Sequence, residues 1–193
     1  MKRQTPFTRV EIEELRLFAL GIGLAFARDR RAADGRRRYL IHEAGHIVMY
    51  TGLGITGWHV RVDGTSAETS MPRVEVPTEV SIVMALGGPL AEEWLCGPRG
   101  VFLGAVDDLW QVKRAAEVHS VAELKSFIAQ TRQALSARKR YVLAAADVLG
   151  ERGKLSEDDL EQIEIVAATK YGGVKPGGST PTMPGQPPPD VHR

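Results

Sequence analysis

Apolar residues recur along this chain at two spacings, and the changes between them mark out its elements. Over residues 9–27, Val10, Leu15, Leu17, Phe18, Ile22, Leu24 and Phe26 cover broad helical faces, which predicts a buried helix. The next stretch, "RDRRAADGRRR" at 28–38, holds six arginines, two aspartates and Gly35, and reads as an exposed, flexible turn between helices; a basic docking patch is the competing reading. A helical pattern returns from Arg37 to about Tyr50 and stops at the glycines of "TGLGITG". "WHVRVDG", 58–64, alternates as a strand does and ends in an Asp-Gly turn signal, and "RVEVP", 73–77, reads as a second short strand pairing with it.

Residues 78–95 are helical again, with Gly87-Gly88-Pro89 expected to interrupt them, and "CGPRGVFLGA" reads as a loop. Helices follow from Val106 to about His119 and from Val121 to Leu149. A last one opens at "SEDDLEQI", where Ser156 and Asp159 make a capping box. Glycine and proline dominate from Gly172 and cannot build a core, which predicts a disordered tail. The expected fold is mainly α with a small two- or three-stranded antiparallel sheet. It divides into an N-terminal helix and basic linker (1–36), one domain (37–171) and a tail (172–193).

Composition narrows the picture. With 25 basic and 24 acidic residues in a chain of 193, no global charge points to nucleic acid or to an anionic membrane. The single cysteine, Cys96, excludes an intramolecular disulfide and suits a reducing compartment. The longest apolar run, "LFALGIGLAFA", is shorter than the ~20 residues of a membrane span. "AFA" at 25–27 is similar to a signal-cleavage site, but three glutamates in "RVEIEELR" stand where a leader is basic, and "RDRR" follows at once. The expectation is a cytoplasmic protein without a membrane anchor.

Candidate chemistry is concentrated in "RRRYLIHEAGHIVMY", 36–50. His42 and His46 lie four apart, so on a helix they share one face and can aim two imidazoles at one tetrahedral zinc. Zinc lowers the pKa of a water towards about 7. Glu43, beside the first histidine, can take a proton from that water and pass it to a leaving amine. Ala44 and Gly45 avoid crowding by being small. The bland alternative, two core histidines satisfied by ordinary partners, leaves the adjacent glutamate unexplained.

A third histidine ligand in the extended motif would need glycine and histidine where the chain has Met49 and Gly52. His59, His119 and His192 have no ligand-like neighbours. The third ligand is then a carboxylate, and two clusters compete: Glu92/Glu93 in "GGPLAEEWL" and Asp107/Asp108 in "GAVDDLWQV".

"YLIHEAGHIV", "LGGPLAEEWL" and "GAVDDLWQVKRAAE", in that order, together with "ARKRYVLAAADVLGERGKLSEDDLEQI", resemble the peptidase domain of FtsH-like (M41) metalloproteases over roughly residues 10–165. The resemblance implies a zincin-like helical peptidase domain. It also implies zinc held by His42, His46 and Asp108, with Glu43 as the general base of an endopeptidase. Asp107 stands where the family has asparagine and is expected to cap its helix or support the site, with Glu92 and Glu93 structural or orienting a ligand histidine. "WHVRV" occupies the place of the family's edge strand, which implies that residues 58–63 bind extended substrate through the main chain.

The chain departs from the family in having no phosphate-binding loop and no ATPase segment, and "FLGA" replaces the usual lead into the aspartate. The expected substrate is therefore a peptide, or a flexible or unfolded protein segment. The expected partners are further copies of the chain in a homo-oligomer, or a separate unfolding protein. The alternative is a silent or partner-dependent adaptor that keeps the zinc-binding fold. Regulation through nucleic acid has no recognition helix to support it.

Overall fold

Helix α2, Gly35–Gly52, is buried at every position from Leu40 to Tyr50, and the other elements are built around it. Its sequence there is apolar or uncharged on nearly all sides, the signature of a helix enclosed by neighbours. The computed structural model describes residues 6–24, 35–63, 66–70, 75–97 and 105–172. Among them are seven helices and one small sheet: α1 (Arg9–Gly21), α2, strands β1 (His59–Asp63) and β2 (Ser66–Ser70), α3 (Thr78–Cys96), α4 (Val106–Ala115), α5 (Val121–Ala137), α6 (Lys139–Arg152), strand β3 (Lys154–Ser156) and α7 (Leu160–Lys170). The fold is thus mainly helical with three antiparallel strands, as the hydrophobic pattern predicts. The C-terminal tail from 173, and most of the basic segment, lie outside the described residues.

Helices α2 and α3 cross at backbone contact. A Cβ on Gly45 would stand 2.6 Å from the Ala91 Cβ and overlap the Gly87 carbonyl, while one on Gly87 would stand 2.7 Å from Met49 Cγ. Only glycine permits this approach. The expected interruption at Gly87-Gly88-Pro89 does not occur, and α3 runs through Pro89 unbroken. A proline inside a helix costs ~3 kcal/mol when exposed propensity alone decides. Here Leu86 and Leu90, each 1 % exposed, bury the same turn and offset that cost.

The sheet has the order β2-β1-β3. β1 is therefore central, which corrects the expectation that residues 58–63 form an edge. The second strand is also displaced: β2 is "SAETS", while 75–77 of the expected 73–77 strand are not in a strand and the rest of it lies outside the described residues. Asp63 pairs with Ser66 at the end of the ladder, and the expected Asp-Gly turn at 63–64 lies partly outside the described residues. Val60 pairs with Thr69 on one side and with Leu155 on the other, and partners across a ladder point to the same face. Val60 and Leu155 are 1 % and 2 % exposed, so that face is the inner one, and it directs Thr69 towards α2.

Two further differences are tertiary in origin. The expected helix 121–149 breaks at Arg138 (φ −114°, ψ 24°) although no glycine or proline stands there. The bend lets α5 lie on α3 and α6 on α2. Gly35 to Arg38, read as exposed turn, form the first turn of α2, and each arginine there is used: Arg36 donates to the Gly150 carbonyl, Arg37 pairs with Asp147 at 3.3 Å and Arg38 with Glu92 at 3.1 Å. The Ser156/Asp159 capping box forms as expected, although it opens a 3-10 turn before α7.

Candidate metal centre

The i,i+4 spacing places both imidazoles on the α3-facing side of α2, where each ring is fixed from behind. The Nδ1 of His46 lies 3.0 Å from the carbonyl oxygen of Met84, and since a carbonyl only accepts, Nδ1 carries the proton and Nε2 keeps its lone pair. The Nδ1 of His42 faces Glu92 Oε2 at 3.3 Å, which fixes that ring in the same sense. Tyr50, one further turn along α2, stacks on the His46 ring at 6.0 Å between centroids.

The first turn of α4 supplies the carboxylate. His42 Nε2 is 3.0 Å from Asp108 Oδ2, His46 Nε2 is 3.4 Å from Asp108 Oδ1, and the two Nε2 atoms are 3.2 Å apart. For metal–ligand bonds of about 2.0–2.1 Å, a tetrahedron has edges of roughly 3.3–3.4 Å. His42, His46 and Asp108 therefore form a buried group that could hold one metal ion. Of the competing carboxylates, Glu92 stands behind His42, Glu93 pairs with Arg132 at 3.0 Å, and Asp107 is exposed. Asp107 does not cap α4, whose N-cap is Ala105 with no side-chain bond.

Gly88 closes the site. A Cβ there would lie 2.5 Å from His46 Nε2 and 2.6 Å from His42 Nε2, against the two atoms that would bind the metal. Gly88→Ala should therefore cost about 1–3 kcal/mol of stability through overpacking. It should also abolish metal binding in a competition assay against a chromogenic chelator, where Gly21→Ala, whose Cβ would meet open space, leaves it intact.

Burial pulls His42 down, but hydrogen bonds to Asp108 and Glu92 outweigh it and hold the imidazole well above its ordinary 6.5. Burial pushes Asp108 up, yet His46 and His42 keep its carboxyl far below its ordinary 3.8. His42's contribution to metal-free stability is thus full below about 6.5 and is lost as pH rises through its raised folded value; that of Asp108 is present above about 3.9 and lost on acidification. Metal must displace the His42 proton. Its apparent affinity should rise by about tenfold per pH unit while one proton is released. Calorimetry in buffers of differing ionisation enthalpy measures that proton.

Glu43 follows His42 directly and is buried, and the Thr69 hydroxyl of β2 donates to its Oε2. Thr69 is invisible to sequence reasoning because β2 has no apolar alternation. Arg38 and Tyr50 carried a signal that was available: with His42 and His46 they recur every four residues on one face of α2. His59 bonds Ser70 at 3.0 Å and His119 meets Phe127 edge to face, and neither joins the centre. Compared with known proteins, the chain matches no family model and no curated protein. No helix among the described residues is long and apolar enough to cross a membrane.

Proposed function

We propose that this protein is a zinc-dependent endopeptidase of the FtsH-like (M41), zincin-like kind, hydrolysing peptide bonds in flexible or unfolded protein segments of the cytoplasm. The observation that carries this reading is the convergence of His42, His46 and Asp108 at 3.0–3.4 Å from one another, with Glu43 adjoining on the same helix. Two imidazoles and a carboxylate suit zinc better than the harder divalent cations. Zinc held there would act as a Lewis acid, lowering the pKa of a water to about 7 and polarising the scissile carbonyl.

The chain's own groups do the rest. Met84 and Glu92 fix the two rings. Glu43 takes a proton from the attacking water and returns it to the leaving amine. Thr69, by holding Oε2, sets the carboxylate's orientation and assigns the moving proton to Oε1. Among the described residues the outer edge of β2 is unpaired, and this strand, rather than β1, would receive an extended segment through its main chain. Delivery would fall to self-association or to a separate unfolding partner.

Incubating the purified chain with casein and zinc tests the reading. Cleavage that stops with a chelator and returns with zinc supports it. Zinc binding without cleavage favours instead an adaptor that retains the centre.

A further inference from the structure

Behind the metal-facing groups lies a chain of contacts that neither the ligand set nor the general base requires. Arg38 stands four residues before His42, on the same face of α2, with its side chain 13 % exposed. Its guanidinium divides among three acceptors at the end of α3: Glu92 Oε1 at 3.1 Å, the Cys96 carbonyl at 2.7 Å and the Gly97 carbonyl at 3.2 Å. The Glu92 side chain is 5 % exposed, and its other oxygen is the one facing His42 Nδ1. One buried carboxylate thus bridges a guanidinium and an imidazole whose far nitrogen belongs to the metal centre.

We propose that Arg38 is a positioning residue of that centre, acting through Glu92 on the His42 ring; the inference rests on the metal-binding part of the function proposed above. A buried carboxylate stripped of its cation is strongly unfavourable and reorganises to escape. Glu92 without Arg38 keeps only the His42 Nδ1–H, at 3.3 Å, and must draw the rest of its compensation from water. Turning towards it withdraws the oxygen that holds Nδ1, and the His42 ring loses its fixed plane and tautomer. The planar fork matters because it locks Glu92 at once to the carbonyls of Cys96, the last residue of α3, and of Gly97 just beyond it. Ring orientation and the end of α3 are thereby made interdependent.

The rival account is that Arg38 merely ties down the C-terminus of α3, for which Glu92 is irrelevant. A double-mutant cycle on zinc affinity separates the two, with unfolding followed in parallel. Arg38→Met and Glu92→Gln should each weaken zinc binding by about 10–100-fold, the range for groups that orient a ligand. The double variant should be no weaker than the worse single one. Arg38→Lys, which restores a cation but not the fork, should recover part of the loss. With Co2+ replacing zinc, the d–d bands of Arg38→Met should move as those of Glu92→Gln do. Unchanged affinity in Arg38→Met, or losses that multiply in the double variant, would overturn the inference. If Arg38→Met does not fold, Arg38→Lys with and without Glu92→Gln carries the same cycle. A wild type that binds no zinc overturns both this inference and the proposed function, whereas a wild type no tighter than Arg38→Met overturns this one alone.

Discussion

Glu43→Gln should retain zinc at wild-type affinity and lose casein cleavage by about 10²–10⁴-fold, the contribution of a positioned general base. Glutamine preserves the shape of the side chain and can still accept from Thr69, so the contact between β2 and α2 survives. What it cannot do is accept the proton of an attacking water. The substitution touches neither ring nitrogen of His42 nor of His46, whose outer partners are Glu92 and the Met84 carbonyl. Zinc titration beside a gel assay of casein therefore reads the two properties separately. Equal cleavage by the two proteins would remove Glu43 from the chemistry, and lost zinc would make it a ligand instead.

The second large effect concerns the aspartate pair. Asp108→Ala should weaken zinc binding by more than ~100-fold, beyond the usual effect of losing an outer partner. Asp107→Ala should change it by no more than about twofold, the scale of an ordinary surface substitution. Successive residues on a helix point about 100° apart, so only one of the pair can face the imidazoles. Asp108 reaches both, at 3.0 and 3.4 Å, while Asp107 is exposed. Comparable losses from the two variants would sink this assignment. The prediction holds for metal binding alone, whether or not the protein cleaves anything.

How much of this was legible beforehand follows from the range of the signals. Helix α2 and its paired histidines were readable because helical spacing is a local property: four residues along the chain make one turn in space. The capping box at Ser156 and Asp159 was readable for the same reason. The course of α3 through Gly87-Gly88-Pro89 was not. Those residues weaken an isolated helix, and it is the crossing with Gly45 that turns their small size into close packing. The break at Arg138 carries no local signal, since two neighbours pulling α5 and α6 in different directions produce it.

The strands show the same division. "RVEVP" has the composition of a strand, yet the partner of β1 is the polar "SAETS", chosen by the short connection after Asp63 and by the face that Val60 buries. β3 is three residues long, too short for any periodicity, and it is what places β1 in the middle.

By itself, the sequence determined the helical class, the zinc-capable pair His42 and His46 with Glu43 beside them, and two candidate carboxylate clusters. Tertiary structure alone decided between those clusters from this chain's own geometry, bringing Asp108 onto the imidazoles and sending Glu92 behind one of them. It also decided that Thr69 meets Glu43 and that Arg38 reaches Glu92. Each of these contacts joins residues 26 to 66 positions apart. At that separation no helical or strand period relates the two partners, and only the packing of α2 against α3 and β2, and of α4 against α3, brings them together.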